Sequence, residues 1–269
     1  MEFDLLICIR CHKGLESVLD TAASVEWSCS NRTKLAFACD GHAGQLPDQL
    51  RRRYSDDSVY ASTRSWGWGA GLFGMLLDSI TYFSQIHSFQ HFLTIDYDTL
   101  FLQKGVDVKL LDLITESTIG VVGKTTERAR WLELFDQHKE SLYRLLKITG
   151  AGFKYEFGLQ GGCMLVTRSL IDTFTERNIF HLAPQIIASC NIADDHLLPI
   201  LSRLCGLSVV NAENILHCSW KLHRDPRGLE QKGVYVFHPV KSDVNKNSEW
   251  EFRSYFRKMR DENTTQPTR

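Results

Sequence analysis

The stretch HFLTIDYDTLFL at residues 91–102 guides the interpretation of the whole chain. An apolar run leads into Asp96 and Asp98, and a second apolar run follows them. Because side chains alternate along a strand, both carboxylates should lie on one side of the segment and Tyr97 on the other. Two neighbouring carboxylates repel each other unless a cation lies between them, and oxygen ligands favour Mg²⁺ or Mn²⁺. For this motif alone, a solvated turn or a helix cap is the alternative.

The flanking segments alternate between apolar runs and helical patterns. We predict strands at 4–10, 34–40, 56–63 and 91–96, and helices at 13–27 and 65–87. This order indicates an α/β fold with an open, twisted, mixed but mainly parallel sheet of Rossmann-like type, flanked by helices. Ligands of such sheets bind beyond the carboxyl ends of the strands, where Asp96 and Asp98 are expected.

The second half of the chain is less regular. We predict strands at 118–124, 158–169 and 233–241, and helices at 125–149, 191–207 and 248–263. The first of these helices begins with a threonine cap, and the stretch at 158–169 carries a glycine pair, at 161 and 162, before its apolar strand. Because no linker or repeat separates these segments, we predict one domain over residues 1–269.

Composition and charge restrict the class of protein. The chain has 269 residues, of which 43% are hydrophobic and 23% charged, as in ordinary soluble proteins. Its net charge of −1 provides no basic surplus for nucleic acid or anionic lipid. Several of its cysteines lie in apolar runs, which favours a reducing compartment. Residues 1–10 do not form a signal peptide and no run is long enough to span a membrane, so we predict a soluble, cytoplasmic protein.

The order of these features resembles the GT-A glycosyltransferases, which use a nucleotide-sugar donor and a D-x-D metal motif. The resemblance covers residues 4–241. It implies a nucleoside-diphosphate sugar donor, with uridine as the usual base, a carbohydrate or glycoconjugate acceptor, and Mn²⁺ or Mg²⁺ as cofactor. It also implies a nucleotide-binding half at about 1–102, an acceptor-binding half at about 103–245 and a C-terminal helix at about 248–263.

Several residues are implied by this resemblance on the donor side. Asp96 and Asp98 would hold the metal and, with Tyr97, the ribose and diphosphate. The stretch RSWGWGAG at 64–71 resembles the segment before the D-x-D motif, where glycines permit a close approach of chain and donor. The residues implied to border the nucleoside and phosphates are Ile9, Arg10, Lys13, Asp40 and Arg64. Trp66 and Trp68 suit sugar or base rings, and packing against the sheet explains them equally well.

The stretch QGGCMLVTRS at 160–169 resembles the glycine-bearing segment beside the donor sugar. Gly161 and Gly162 would leave room for the sugar and acceptor, and a tight turn is the alternative. The stretch IADDHLL at 192–198 resembles the acidic pair at the start of a helix. In inverting enzymes such a carboxylate deprotonates the acceptor, which implies Asp195 as base and Asp194 as its orienting neighbour.

This acidic pair departs from the family in one respect, because the family pair is more often Glu-Asp. Charge compensation at a helix N-terminus is the alternative for both residues. Retaining members of the fold dispense with a dedicated base, so an inverting transfer is an expectation that depends on this pair.

The stretch YVFHPVK at 235–241 ends a predicted strand in a histidine. Several metal-dependent members of the family supply a late histidine as a further metal ligand, which implies this role for His238. Imidazole suits Mn²⁺ better than Mg²⁺. Lys241 follows closely and would meet phosphate charge. A purely structural histidine is the alternative.

Three other interpretations remain open from the sequence. Cys8, Cys11, Cys39 and His42 end two neighbouring strands and would form a structural zinc site. A sugar nucleotidyltransferase also combines a related sheet with a divalent metal, although the stretch at 10–17 has one glycine where such enzymes carry a glycine-rich basic loop. A non-catalytic nucleotide- or carbohydrate-binding protein would keep the metal ligands and need no base.

Overall fold

The computed structural model describes most of the chain, and all statements below concern those residues. They are residues 2–67, 69–126, 129–147, 157–190, 192–218, 225–241 and 249–265. Trp68, which the sequence suggests as a pocket residue, lies outside them.

Seven strands form the main sheet. They are β1 (Glu2–Cys11), β2 (Thr33–Cys39), β3 (Val59–Ala61), β4 (Ser88–Asp96), β6 (Ile119–Thr126), β7 (Gly158–Thr167) and β8 (Ser208–Asn211). Their spatial order is β3-β2-β1-β4-β7-β6-β8. The pairs β3–β2, β2–β1, β1–β4 and β6–β8 are parallel, and β7 is antiparallel to both of its neighbours. The predicted mixed, mainly parallel sheet is therefore confirmed.

Three short strands form a second sheet beside the first. They are β5 (Leu100–Phe101), β9 (Leu216–Cys218) and β10 (Val236–His238), in the order β5-β10-β9. Strand β5 follows the D-x-D motif directly, and β10 ends in the predicted metal ligand. The antiparallel pairing of β10 with β5 therefore brings two distant parts of the sequence to one place.

Ten helices of the described residues cover the sheets. They are α1 (Leu15–Ser28), α2 (Leu46–Arg51), α3 (Ala70–Ile86), α4 (Val106–Leu111), α5 (Ala129–Leu146), α6 (Arg168–Glu176), α7 (Ile179–Ser189), α8 (Asp194–Leu204), α9 (Pro226–Gln231) and α10 (Glu249–Thr265). The sequence predicts α1, α3, α5, α8 and α10. Helices α2, α4 and α9 have six residues each, too few for a helical period to be recognised. No helix in the described ranges combines the length and hydrophobicity that a membrane span requires.

Strand β1 separates the two main hydrophobic cores. Leu5, Ile7 and Ile9 pack on one face with α1, and Leu6 and Cys8 pack on the other face with α3, α7 and α8. All five side chains are buried. This burial on both faces explains the continuous apolar run in the sequence, because a central parallel strand has no solvent side.

Four predicted boundaries are wrong. The strand predicted at 233–241 is reduced to β10. The strand predicted at 56–63 is reduced to β3, because residues 56–58 form a short 3₁₀ helix. The glycine pair at 161 and 162, expected before the apolar strand of the 158–169 stretch, lies inside β7. Thr125 and Thr126, the expected helix cap, belong to β6, whose pairing with β7 continues to Thr126. Tertiary pairing of strands, which local periodicity does not encode, accounts for the last two differences.

Candidate active site

A pocket of about 510 Å³ opens where the carboxyl ends of β1, β2 and β4 meet. Most of the residues implied by the resemblance line it. They are Arg10, Asp40, Asp96, Tyr97, Asp98, Gly161, Gly162, Asp194, Asp195, His238 and Lys241. They come from separate parts of the chain, and the location is the one at which open α/β sheets bind ligands.

Asp96, Asp98 and His238 form a group that is able to hold a metal ion. One ligand atom from each lies within 4.8 Å of the others. His238 Nε2 lies 3.2 Å from Asp98 Oδ1 and 3.5 Å from Asp96 Oδ2. Neighbouring ligands of an octahedral divalent ion lie about 3 Å apart, so the three side chains are close to the spacing such an ion needs.

The remaining oxygens of both aspartates face cations of the protein. Arg10 Nε and Nη2 lie 2.9 and 2.8 Å from Asp96 Oδ1, and Lys241 Nζ lies 3.5 Å from Asp98 Oδ2. Each carboxylate therefore uses one oxygen for the protein's own charge and turns the other toward His238. This division leaves two oxygens and one nitrogen available as ligands.

The charges of this group reinforce one another. Burial opposes the ionisation of Asp96, but Arg10 and His238 outweigh it and hold the pKa of Asp96 well below its usual range. Burial would also lower the pKa of His238, but Asp96 and Asp98 raise it well above its usual value. The site thus concentrates negative charge that attracts a proton to His238 or, in its place, a metal cation.

Gly162 leaves the space that the His238 ring occupies. A Cβ atom at this residue would lie 2.3 Å from His238 Nδ1, and the backbone has a φ of +93°. Thr99 Oγ1 also donates a hydrogen bond to the Gly162 carbonyl at 3.0 Å, and the Val240 N–H donates to the Asp98 carbonyl at 2.6 Å. The glycine is therefore needed for the packing of β7 against His238, and the segment after the D-x-D motif is tied to both.

The acidic pair at the start of α8 faces the same pocket. Asp194 is buried and forms an ion pair with Arg10 Nη1. Asp195 lines the pocket, and a Cβ atom on Gly161 would lie 3.4 Å from its Oδ2. Arg10 therefore links the two acidic pairs, and the two aspartates of α8 have different surroundings.

Arg10 reaches both pairs because of the strand register. It stands opposite Asp96 in the parallel pairing of β1 with β4, so both side chains project from the same face of the sheet. The residue is only 5% exposed, and the five donors of its guanidinium suit two carboxylates at once. The two carboxylates outweigh the effect of burial and raise its pKa.

Asp40 lines the pocket, but its oxygens are occupied by the chain itself. Oδ1 accepts from the His42 N–H at 3.0 Å and the Ser65 hydroxyl at 3.1 Å, and Oδ2 accepts from the Trp66 N–H at 3.0 Å. Burial would raise its pKa, but these donors outweigh it and lower the pKa. Through these hydrogen bonds, Asp40 connects the segment after β3 to the end of β2.

The glycines of the 64–71 segment serve two purposes. Gly67 and Gly69 line the pocket, with φ values of +66° and +72°. Gly71 instead permits contact within the chain, because a Cβ atom there would lie 1.7 Å from the Trp66 carbonyl oxygen. Of the glycines at 67, 69 and 71, the first two therefore border the pocket and the third serves packing within the chain.

Four residues implied by the resemblance do not line the pocket. The Ile9 side chain lies in the core between the sheet and α1. Lys13 is exposed, and Arg64 is exposed with its guanidinium 5.5 Å from the Trp66 ring. Trp66 packs over Gly74 and donates from Nε1 to Asp78 at 3.2 Å, so packing against the core explains it. A sequence pattern locates a residue near a strand end but does not determine which way its side chain turns.

Other pocket residues were not selected from the sequence. His12 contacts the Tyr97 ring edge-to-face, with centroids 4.9 Å apart. Burial and the charge of Lys13 lower the pKa of His12. Gln160 lines the pocket with a buried Oε1 atom that has no hydrogen-bond partner among the described residues. His12 precedes Lys13 and Gln160 precedes Gly161, two residues that the resemblance implies. Proximity to these residues was therefore a signal that could have identified both.

The alternative zinc site is not formed. Among the residues described, the only group of metal-binding side chains that converges is Asp96, Asp98 and His238. The side chain of Cys8 lies in the core on one face of the sheet, and those of Cys11 and Cys39 lie in the core on the other face. Burial raises the pKa of Cys8 and Cys11, which disfavours the thiolates that zinc needs.

Comparison with known proteins identifies the fold. No protein-family model and no curated protein matches the chain. Its structure is similar to that of mouse xyloside xylosyltransferase 1 in the apo form, with a TM-score of 0.51 and 12% identity over 91% of this chain and 99% of that one. It is also similar to the galactosyltransferase LgtC in complex with donor and acceptor sugar analogs, with a TM-score of 0.51 and 13% identity over 97% of each chain. The chain has the GT-A fold of these glycosyltransferases, as the sequence predicts.

Proposed function

We propose that this protein is a metal-dependent glycosyltransferase that moves a sugar from a nucleoside-diphosphate sugar to an acceptor hydroxyl. The observation that carries the proposal is the convergence of Asp96, Asp98 and His238 beside the acidic pair of α8 in one pocket of a GT-A fold. This arrangement combines a cation site for a diphosphate with a carboxylate for the acceptor. We further propose a uridine nucleotide, following the resemblance in the sequence.

The donor set supports Mn²⁺ as the metal. Two carboxylate oxygens and one imidazole nitrogen suit Mn²⁺ better than Mg²⁺, which prefers oxygen ligands and retains its water. When bound, the ion would supply charge stabilisation for the departing diphosphate. Arg10 and Lys241 pair with the oxygens of Asp96 and Asp98 that face away from His238. The other oxygen of each carboxylate is therefore available to the metal.

Asp195 is the proposed general base. Arg10 neutralises its neighbour Asp194 in a buried ion pair, whereas Asp195 lies beside Gly161 at the pocket wall. A carboxylate in this position is able to accept the proton of an acceptor hydroxyl as it attacks the anomeric carbon. The transfer would then invert the anomeric configuration.

A thermal-shift panel tests the donor and metal parts of the proposal. The melting temperature is measured with UDP, GDP, CDP and ADP, each with and without Mn²⁺, because a ligand that binds the native state raises it. We expect a metal-dependent increase that is largest for UDP. An equal response of the Asp96→Asn variant would contradict the assignment of the metal site.

Donor hydrolysis and product analysis test the catalytic part. Wild-type protein and the Asp195→Asn variant are incubated with the donor that the panel selects, and sugar release is followed by NMR, which also reports the anomer first formed. We expect the wild type to hydrolyse the donor with inversion of the anomeric configuration. The Asp195→Asn variant should lose this turnover. Nucleotide binding without turnover in both proteins would favour a non-catalytic binding protein. Retention of configuration would remove the base role from Asp195.

A further inference from the structure

The C-terminal helix α10 places a buried arginine beneath the metal-binding turn. Arg253 is 0% exposed, although it belongs to a helix whose sequence is mostly polar. Its Nη2 atom donates to the carbonyl oxygen of Tyr97, the residue between the two aspartates, at 3.1 Å. A residue more than 150 positions away in sequence therefore contacts the backbone of the D-x-D motif directly.

Within the described part of the chain, the carbonyls of Tyr97 and Thr99 share a single hydroxyl donor apart from this arginine. The hydroxyl of Thr21 lies 2.6 Å from the Tyr97 carbonyl and 2.8 Å from the Thr99 carbonyl. A hydroxyl has one proton and donates fully to one acceptor at a time. Arg253 supplies the second donor to Tyr97, so Thr21 is free to serve Thr99.

Arg253 also orients the hydroxyl. Its Nη1 atom lies 3.4 Å from Thr21 Oγ1 and 3.0 Å from Asp20 Oδ2. Because the arginine donates to the hydroxyl oxygen, the hydroxyl proton is directed away from it, toward the carbonyls of the turn. One guanidinium therefore determines how both carbonyls are satisfied.

Two acidic residues fix the guanidinium itself. Glu249 Oε1 accepts from Nε at 2.8 Å, and the buried Asp20 accepts from Nη1. Asp20 also contacts Arg260, at 2.6 Å, and Arg257, at 3.3 Å, so it anchors α10 to α1. The planar fork of arginine, held at two corners, points its remaining donors at the turn.

We propose that Arg253 is a positioning residue that holds the Tyr97 carbonyl, and through it Asp96 and Asp98, in the geometry that binds the metal. The inference rests on the proposed metal site. Groups that orient metal ligands from behind affect affinity by about 10- to 100-fold when they are removed. Arg253 therefore acts on metal binding without being a ligand.

The test compares two arginines of α10 that both contact Asp20. Arg253 also donates to the Tyr97 carbonyl in the turn formed by residues 96–99. Arg253→Met and Arg253→Lys are prepared with Arg260→Met as the matched control, because Arg260 is also buried, lies on α10 and contacts Asp20. The dissociation constant for Mn²⁺ alone is measured by EPR of free Mn²⁺, at a temperature where circular dichroism shows each protein folded. Thermal unfolding without metal is measured in parallel.

We expect the dissociation constant for Mn²⁺ to rise at least about tenfold in both Arg253 variants. Arg260→Met should lose stability but keep the wild-type affinity. Arg253→Lys keeps the charge opposite Asp20 and Glu249, so it should be the more stable of the two while still losing affinity. Thr21→Val removes a donor to the same turn without changing charge, and it should also weaken binding. If the Arg253 variants do not fold, the Mn²⁺ affinity of Thr21→Val provides the test.

The outcomes separate this inference from the proposed function. Wild-type affinity in folded Arg253→Lys or in Thr21→Val would overturn the positioning role alone. An equal loss in Arg260→Met would also overturn it, since general loosening of α10 would then be the cause. If the wild type does not bind Mn²⁺, or binds it as weakly as Asp96→Asn, the proposed metal site fails and the inference fails with it.

Discussion

The two acidic pairs of the pocket have similar sequences but different surroundings. Asp96 ends β4 and Asp98 lies in the turn after it, and one oxygen of each faces His238. Asp194 and Asp195 open α8, where the first is paired with Arg10 and the second lines the pocket beside Gly161. The comparison shows that neighbouring cations and glycines, not the carboxylates themselves, distinguish the two pairs. On this difference we propose a metal-binding role for the first pair and a proton-accepting role for Asp195.

The largest effect is expected from removing the charge of the first pair. The double variant Asp96→Asn/Asp98→Asn should lose Mn²⁺-dependent nucleotide binding and at least about 10⁴-fold in kcat/KM, because metal charge stabilisation contributes several kcal/mol. Asp172→Asn is a matched control, since that aspartate forms an exposed ion pair with Arg168. Transfer at the wild-type rate by the double variant would contradict the metal assignment.

The second pair should divide into a catalytic and a structural member. Asp195→Asn is expected to lower kcat by about 10³-fold, as removal of a general base does, with the melting temperature nearly unchanged. Asp194→Asn weakens a buried, charged hydrogen bond to Arg10 and should lower the free energy of unfolding by about 1.5–3 kcal/mol. Steady-state kinetics and denaturant unfolding of both variants check this. The division is wrong if the two variants exchange these effects.

Adjacent glycines of β7 offer a test that distinguishes the two pairs. In Gly162→Ala the new methyl would lie 2.3 Å from His238 Nδ1 at a φ of +93°, so the ring must move. Mn²⁺ affinity should fall by about 10- to 100-fold. In Gly161→Ala the methyl would lie 3.4 Å from Asp195 Oδ2, so acceptor KM should rise while Mn²⁺ affinity stays the same.

Titration of Mn²⁺ and acceptor kinetics on both glycine variants measure these effects. Equal losses of metal affinity in the two would show that β7 as a whole, and not the contact with His238, supports the site.

The smallest effect is expected at the rim of the pocket. Lys241 lies 3.5 Å from Asp98, and its side chain is 53% exposed. Exposed ion pairs contribute about 0–1 kcal/mol, so Lys241→Met should raise donor KM only a few-fold. The difference from wild type should shrink at high salt, because salt screens exposed charges. An effect as large as that of Asp98→Asn would show that Lys241 contacts the donor phosphates closely.

Much of the fold was predictable because its signals are local. Central strands buried on both faces leave continuous apolar runs, as in residues 4–10, and long helices leave a regular period. The motif at 91–102 was likewise visible, because a continuous apolar run leads directly into two carboxylates one residue apart. The short helices α2, α4 and α9 left no such signal.

The site was only partly predictable, for a different reason. Ile9, Lys13, Arg64 and Trp66 stand near the right strand ends, yet their side chains do not line the pocket. Gly71 suggested room for a ligand, but it accommodates the carbonyl of Trp66. The sequence position was informative, but packing places Ile9 in the core and Trp66 against α3, and it leaves Lys13 and Arg64 exposed.

The sequence by itself determined the order of the central strands and of helices α1, α3, α5, α8 and α10, the likeness to GT-A enzymes and the residue types available for a metal site. Only the tertiary structure decided which oxygens of Asp96 and Asp98 face His238, that Arg10 joins both acidic pairs, and that Arg253 contacts the Tyr97 carbonyl. The physical reason is that periodicity and propensity act over a few residues. The direction of a buried charge, by contrast, depends on partners that strand pairing and helix docking bring together from far along the chain.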